Sequence, residues 1–203
     1  RFIVPVFQRY YSWEKDNWSQ LWEDIEALME DTRAKTKPTH FMGALVFIPE
    51  QLLPNIAPTF QIIDGQQRMM TIIILLCALR DVAKSYGYVE LATEINNTYI
   101  VHQYKRGVER YRVYPRHQDK EDFEIAVKGE SKPGSRVGEA LSFFTKKILQ
   151  NQDLKTDEQL QSFKQILVSG LEFVHITLDD ENPYQIFKSL NSLSLISIFS
   201  SSS

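Results

Sequence analysis

The residues best suited to chemistry lie in one stretch, Phe60-Gln61-Ile62-Ile63-Asp64-Gly65-Gln66-Gln67-Arg68-Met69-Met70-Thr71. The pattern reads as a strand, a sharp turn at Asp64-Gly65 and the start of a long apolar helix. A helix start presents unpaired N–H groups and the positive end of the peptide dipoles, which makes it a seat for anions. Gly65 lets the backbone approach a ligand closely. Gln66 and Gln67 bring amides that both donate and accept, and Arg68 brings a planar fork matched to phosphate. A structural reading competes, because Asp64 and Gln67 have the spacing of a capping box. That reading leaves Arg68 unexplained: a cation in the first turn opposes the helix dipole by about 0.3–1 kcal/mol. The helix that follows is mostly apolar, so Arg68 requires an anionic partner, either an internal carboxylate or a phosphate.

A second stretch, Ile3-Val4-Pro5-Val6-Phe7-Gln8-Arg9-Tyr10-Tyr11-Ser12-Trp13, sets Gln8 and Arg9 among four aromatic residues. Stacking surface next to an arginine suits a nucleotide base or a flipped base, with Tyr11 and Trp13 as the stacking candidates. The alternative is that the aromatics belong to the core and Arg9 to a surface ion pair. If both arginines serve one polyanion, Arg9 and Arg68 should line one pocket, with Gln8 and Gln67 nearby.

Composition limits the classes. Hydrophobic residues make up 43% and charged residues 24% of 203, the proportions of a globular chain. A formal net charge of −3 argues against a general DNA clamp, whose affinity comes from neutralised phosphates. The one cysteine, Cys77, lies in an apolar run and reads as a buried small side chain, which excludes an internal disulfide and fits a reducing cytoplasm. His40, His102, His117 and His175 are scattered, without metal-ligand spacing, and His175 alternates with residues expected to face the core. There is no GxxxxGK[ST] loop, so phosphate binding of the P-loop kind is excluded. No signal peptide or membrane-spanning run is visible, and the chain, which starts at Arg1 and ends in a serine run, reads as a piece of a longer protein.

The elements that must position these residues follow from periodicity. Phe2 to Phe7 reads as a short strand broken by Pro5. Trp18, Leu21, Trp22, Ile25, Leu28 and Met29 define a helix that Asp16 or Ser12 would cap. Phe41 to Ile48 reads as a strand containing Gly43, and Thr59 to Ile63 as another, with a proline-bearing loop between. The long helix runs from about Gln66 to Tyr86, stopped by Gly87. Helical periodicity continues from Val89 to Tyr104, a brief strand falls at Arg112 to Tyr114, and helices follow near 117–128, 138–150 and 157–169. Leu171 to Leu178 reads as a late strand, and Pro183 to Leu190 opens a helix. The expected class is α+β, a small mixed-sheet core with a helical second half. Its expected divisions are a core over 1–88, a helical extension with the late strand over 89–191, and a tail over 192–203.

IPVFQRYYSW, then Phe41 and Gly43 on one strand, then IIDGQQRMMT, resembles the N-terminal domain of the GmrSD restriction endonuclease family. Val174-His175-Ile176, Asp180, Asn182-Pro183, Phe187 and Leu190-Asn191 resemble that family's closing motif. After Asn191 the chain departs from the pattern, reading Ser192-Leu193-Ser194-Leu195 where a glycine and an acid are usual. The resemblance implies a ParB/sulfiredoxin-like core and a DGQQR motif that serves nucleotide binding and hydrolysis. It implies sensing of modified DNA in phage defence, with cleavage by a separate HNH-type domain or subunit.

On that reading, Gln8, Arg9, Gly65, Gln66, Gln67 and Arg68 bind a nucleoside triphosphate, GTP or ATP. Asp64 and Arg68 are the catalytic pair, with Asp64 holding Mg²⁺ or orienting the attacking water. Phosphoryl transfer needs mainly positioning and charge neutralisation, so this set would suffice. Two alternatives stand beside it: a module that binds a DNA backbone or modified base without hydrolysis, and a nuclease domain in its own right. The chain alone is expected to bind nucleotide and not to cut DNA.

Overall fold

A computed structural model describes residues 1–33, 39–50, 58–116 and 118–178, together with 184, 185 and 188. Strands β1 (Phe2–Val4), β2 (His40–Pro49), β3 (Phe60–Asp64), β4 (Val113–Pro115) and β5 (Leu171–Thr177) form one mixed sheet in the order β4-β1-β3-β2-β5. β1 runs parallel to β3 and to β4, β2 is antiparallel to β3, and β5 is parallel to β2. The helices are α1 (Lys15–Arg33), α2 (Gln66–Ser85), α3 (Val89–Ile95), α4 (Lys120–Val127), α5 (Arg136–Gln150) and α6 (Asp157–Gln165). The α+β class follows directly from this composition of elements.

α2 is the axis of the molecule. Its residues Ile72 to Arg80 are buried without a break. A helix apolar on all sides must be enclosed, and α3, α4, α5 and α6 pack around it. One apolar cluster runs from Val4 through Trp22, Leu75, Phe123, Phe144 and Phe163 to Leu171, so first-half and second-half residues share a core. Within it, Cys77 is 1% exposed, and burial pushes its thiol up to about 12. Arg80, also buried, pairs with Asp81 at 2.8 Å and donates to the Val127 carbonyl at 2.6 Å. The buried charge thereby caps the last turn of α4 and is itself satisfied. Among the described residues no helix is long and apolar enough to cross a membrane.

Several boundaries differ from the periodicity reading. β1 ends at Val4, because Pro5 has no N–H for a ladder. α1 begins at Lys15, with Asp16 already inside its first turn, so neither Asp16 nor Ser12 is the cap. The helix from Val89 changes to π geometry over Asn96–Ile100 and is extended by Val101. Val174 and Ile176 were expected to face the core and are instead 50% and 39% exposed, because β5 is the last strand of the sheet. His175 is exposed too, with its ring edge-on to Phe47 at 5.9 Å. His117, Asp180, Asn182-Pro183, Phe187, Leu190-Asn191 and the 192–203 tail lie outside the described residues.

Candidate functional site

The turn between β3 and α2 is built on one glycine. Gly65 is the N-cap of α2, with φ of 90°, a left-handed conformation that favours glycine. A Cβ there would meet Leu45 Cδ2 at 2.4 Å and the Ala44 carbonyl at 3.0 Å. No side chain caps the helix, so the N–H groups of its first turn stay unpaired by capping. The capping-box reading of Asp64 and Gln67 therefore fails: the cap residue is Gly65, and the Gln67 amide is committed elsewhere.

That commitment explains the paired glutamines. Gln67 accepts from the Ser12 N–H at 2.8 Å and donates to the Tyr10 carbonyl at 2.8 Å. Gln66 donates to the Arg9 carbonyl at 2.7 Å, and Gln8 donates to the Ile63 carbonyl at 2.7 Å. All three glutamines are at least nine-tenths buried. The Tyr11 N–H adds a bond to the Asp119 carboxylate at 2.6 Å. Residues 8–12 are thus riveted to the β3–α2 turn from both sides, mostly through main-chain groups. Gln8 and Gln67, placed in the sequence reading as ligand contacts, spend their amides on this joint.

Tyr11 is also redirected. Its ring is 3% exposed, and its hydroxyl bonds to Thr71 Oγ1 at 2.8 Å and accepts from Trp18 Nε1 at 2.9 Å. Burial raises its pKa, against a smaller opposite pull from those hydrogen bonds. A ring so enclosed has no face for a base, which removes Tyr11 as a stacking residue. Trp13 remains half-buried at the surface.

Arg68 has the internal partners that its place in the helix demands. Nη1 donates to the Met42 carbonyl at 2.6 Å, and Nη2 reaches Asp64 Oδ2 at 3.3 Å. The guanidinium occupies a notch in β2 at Gly43, where φ is 97° and the pairing with β5 slips between Phe41 and Ala44. A Cβ on Gly43 would fall 1.9 Å from Nη1. Gly43 is therefore the seat of Arg68, a role that the sequence reading did not assign. The signal was available: a lone glycine inside a strand marks a bulge or a close approach.

Arg9, Trp13, Asp64, Gly65, Gln66 and Arg68, with Gln8 and Gln67 behind them, line one cleft of about 120 Å³. Arg9 is exposed, with no partner for its guanidinium among the described residues, and Asp64 is 56% exposed. Gln66 Oε1 is buried without a hydrogen-bond partner among the described residues. Its donation to Arg9 fixes which end of the amide is oxygen, so this orphan is an acceptor. The cleft thus combines two guanidinium groups, a helix start and one carboxylate. Among the described residues, no three His, Cys, Asp or Glu side chains gather as a metal site.

The mixed sheet and the uncapped, arginine-flanked helix start define an α+β domain with an arginine-lined cleft at a strand-to-helix turn. The chain matches the family model of the GmrSD restriction endonuclease, N-terminal domain, over residues 1–195, and it belongs to that family. A comparison with curated proteins found no match.

Proposed function

We propose that the cleft binds the phosphates of a nucleoside triphosphate and that the domain hydrolyses it to regulate a restriction protein acting on modified DNA. The observation that carries this reading is the convergence of Arg9 and Arg68 on the uncapped start of α2. Two cations and a helix dipole in one small cleft favour a polyanion over a single carboxylate. Arg9, held by its backbone and unpaired at its side chain, reaches the outer phosphates. Arg68, braced on Met42 and Asp64, faces them as a fixed donor.

Mg²⁺ fits this donor set in one way. A lone carboxylate and an orphan amide oxygen do not make a cage, but Mg²⁺ is commonly held by one carboxylate together with substrate phosphates and waters. Asp64, 56% exposed, would be that ligand. The ion would neutralise charge on the transferring phosphoryl group. Cleavage of DNA belongs, on this reading, to an HNH-type domain or subunit, and the core is ParB/sulfiredoxin-like.

A non-hydrolysing binding module is the second reading, favoured by the contact that already engages Asp64 with Arg68. Phosphate release from GTP and ATP by the native chain and by Asp64→Asn decides between them. Hydrolysis abolished in the variant, with an unchanged melting temperature, supports the enzyme. No release by either protein leaves the binding module.

A further inference from the structure

The far end of the sheet carries unpaired positive charge. β1 and β3 run parallel, and the Phe60 N–H donates to the Arg1 carbonyl at 2.8 Å, so Arg1 lies beside the start of β3. Asp64 ends that strand, roughly 13 Å further on at about 3.3 Å per residue. The Phe2 N–H donates to the Arg112 carbonyl at 2.7 Å, and Arg1 Nη2 donates to the Val108 carbonyl at 2.9 Å. The segment leading into the outer strand β4 thus lies against Arg1 at this corner. From Lys105 to Arg112 it has Lys105, Arg106, Arg110 and Arg112 against Glu109 alone, in a chain whose formal net charge is −3. Arg68, Arg80, Arg116 and Arg136 each meet a carboxylate, whereas Arg1, Arg106, Arg110 and Arg112 meet none among the described residues. Three of these four are held by neutral groups. Tyr111 and Tyr114 stack with centroids 5.2 Å apart, Arg110 lies over Tyr111 at 5.3 Å, and Arg1 lies over Tyr114 at 5.7 Å. Arg112 Nη2 donates to the Asn97 carbonyl at 3.1 Å. Rings and carbonyls position a guanidinium without cancelling its charge, so positive potential gathers at this corner.

We infer that Arg1, Arg106, Arg110 and Arg112 form a contact surface for the backbone of double-stranded DNA, separate from the arginine-lined cleft. Planar guanidinium forks match phosphate oxygens, and arginine outnumbers lysine here. The family of the chain, a restriction endonuclease, brings DNA as the polyanion. The tyrosines decide between two strands and one. A single strand needs open ring faces on which its bases stack. Tyr111 and Tyr114 are 6% and 4% exposed, their faces given to each other and to the arginines, and Tyr104 alone of this stretch has an open ring. Gly107–Arg110 is one 3-10 turn, too short to lie in a groove and read base edges. The surface therefore positions a duplex through its phosphates and leaves the sequence unread. This inference does not depend on the triphosphate reading of the cleft. The two sites lie toward opposite ends of β3, so the domain holds DNA and a triphosphate at once.

The test is fluorescence anisotropy of the full chain with a labelled, unmodified DNA duplex of about 20 base pairs, across roughly 50 to 200 mM salt. Four arginine contacts predict a slope of about −3 to −4 for log affinity against log salt. Arg106→Gln with Arg110→Gln should roughly halve that slope and weaken binding by about tenfold or more at the lowest salt, with the melting temperature unchanged. Lysine at both positions should restore the slope. Lys128→Gln with Lys146→Gln removes two exposed cations elsewhere on the surface and should change neither slope nor affinity. Inorganic tripolyphosphate should bind the native chain and the double arginine variant equally. The inference is overturned by no duplex binding, by a slope that survives the arginine substitutions, or by an equal loss from the two lysine substitutions. Tighter binding of single-stranded DNA, of duplex RNA or of polyglutamate than of the DNA duplex assigns the surface to another partner and overturns it too. Joint loss of duplex and tripolyphosphate binding in the arginine variant overturns the separation of the two sites. Native duplex binding with the predicted slope but no tripolyphosphate binding refutes the triphosphate reading and supports the DNA surface.

Discussion

Replacing Gly43 by alanine tests whether β2 is notched in order to seat Arg68. Two costs are separable. At φ of 97° an alanine is strained whatever surrounds it, by about 1–3 kcal/mol. The new methyl would also fall 1.9 Å from Nη1, so the guanidinium must leave and lose its bond to the Met42 carbonyl. A hydrogen bond from a charged donor contributes about 1.5–3 kcal/mol. Gly43→Ala alone should therefore lower unfolding stability by roughly 2.5–6 kcal/mol, the sum of both costs. In an Arg68→Ala background only the strain remains, so the second substitution should cost about 1–3 kcal/mol. Urea unfolding of the four proteins in the cycle measures the difference, an expected coupling of about 1.5–3 kcal/mol. Arg68→Lys should not behave as wild type, because an ammonium cannot reach Met42 and Asp64 together through a planar fork. Additive costs, within a few tenths of a kcal/mol, would refute the seat.

Gln67→Leu removes both bonds that rivet Ser12 and Tyr10 to the turn, and urea unfolding should show a loss of about 1–3 kcal/mol; a neutral result would mean that residues 8–12 are held by something else. Tyr11 and Cys77 both have pKa values raised by burial, so the folded chain keeps protons that the unfolded chain gives up. Stability from each is complete below its unfolded value, near 9 for Cys77, and falls above it by about 1.4 kcal/mol per pH unit until the folded value of about 12. Denaturant midpoints measured between pH 8 and pH 11 should drop steadily, and Cys77→Ala should have a shallower slope; a flat profile would contradict the burial of these groups.

Much of this architecture is written in residue patterns of short range. The unbroken apolar run of α2, the turn at Asp64-Gly65 and the late strand at Leu171 are local signals, and the structure has all three. The association of the QR and DGQQR segments was also legible, because neither arginine is explained by its own element. What could not be read is how side chains are spent across long sequence separations. Gln66 and Gln67 look like ligand-facing amides, yet each bonds to backbone 57 or 55 residues away. Tyr11 looks like a stacking ring, yet it meets Thr71, 60 residues on, inside the core. Gly43 and Arg68 form a pair that only the folded bulge brings together, although the glycine within a strand announced that something had to approach it closely.

The central claim is that Arg9 and Arg68 share one polyanion at the start of α2. The most direct measurement is titration of the chain with inorganic tripolyphosphate, native and as Arg9→Ala. Arg9 is exposed, so its removal leaves the fold intact and isolates binding. The account predicts saturable binding at one site by the native chain and a loss of about tenfold or more in the variant, the effect of one charge-assisted contact to phosphate. Equal affinity in the two proteins, or no binding to the native chain, would contradict it.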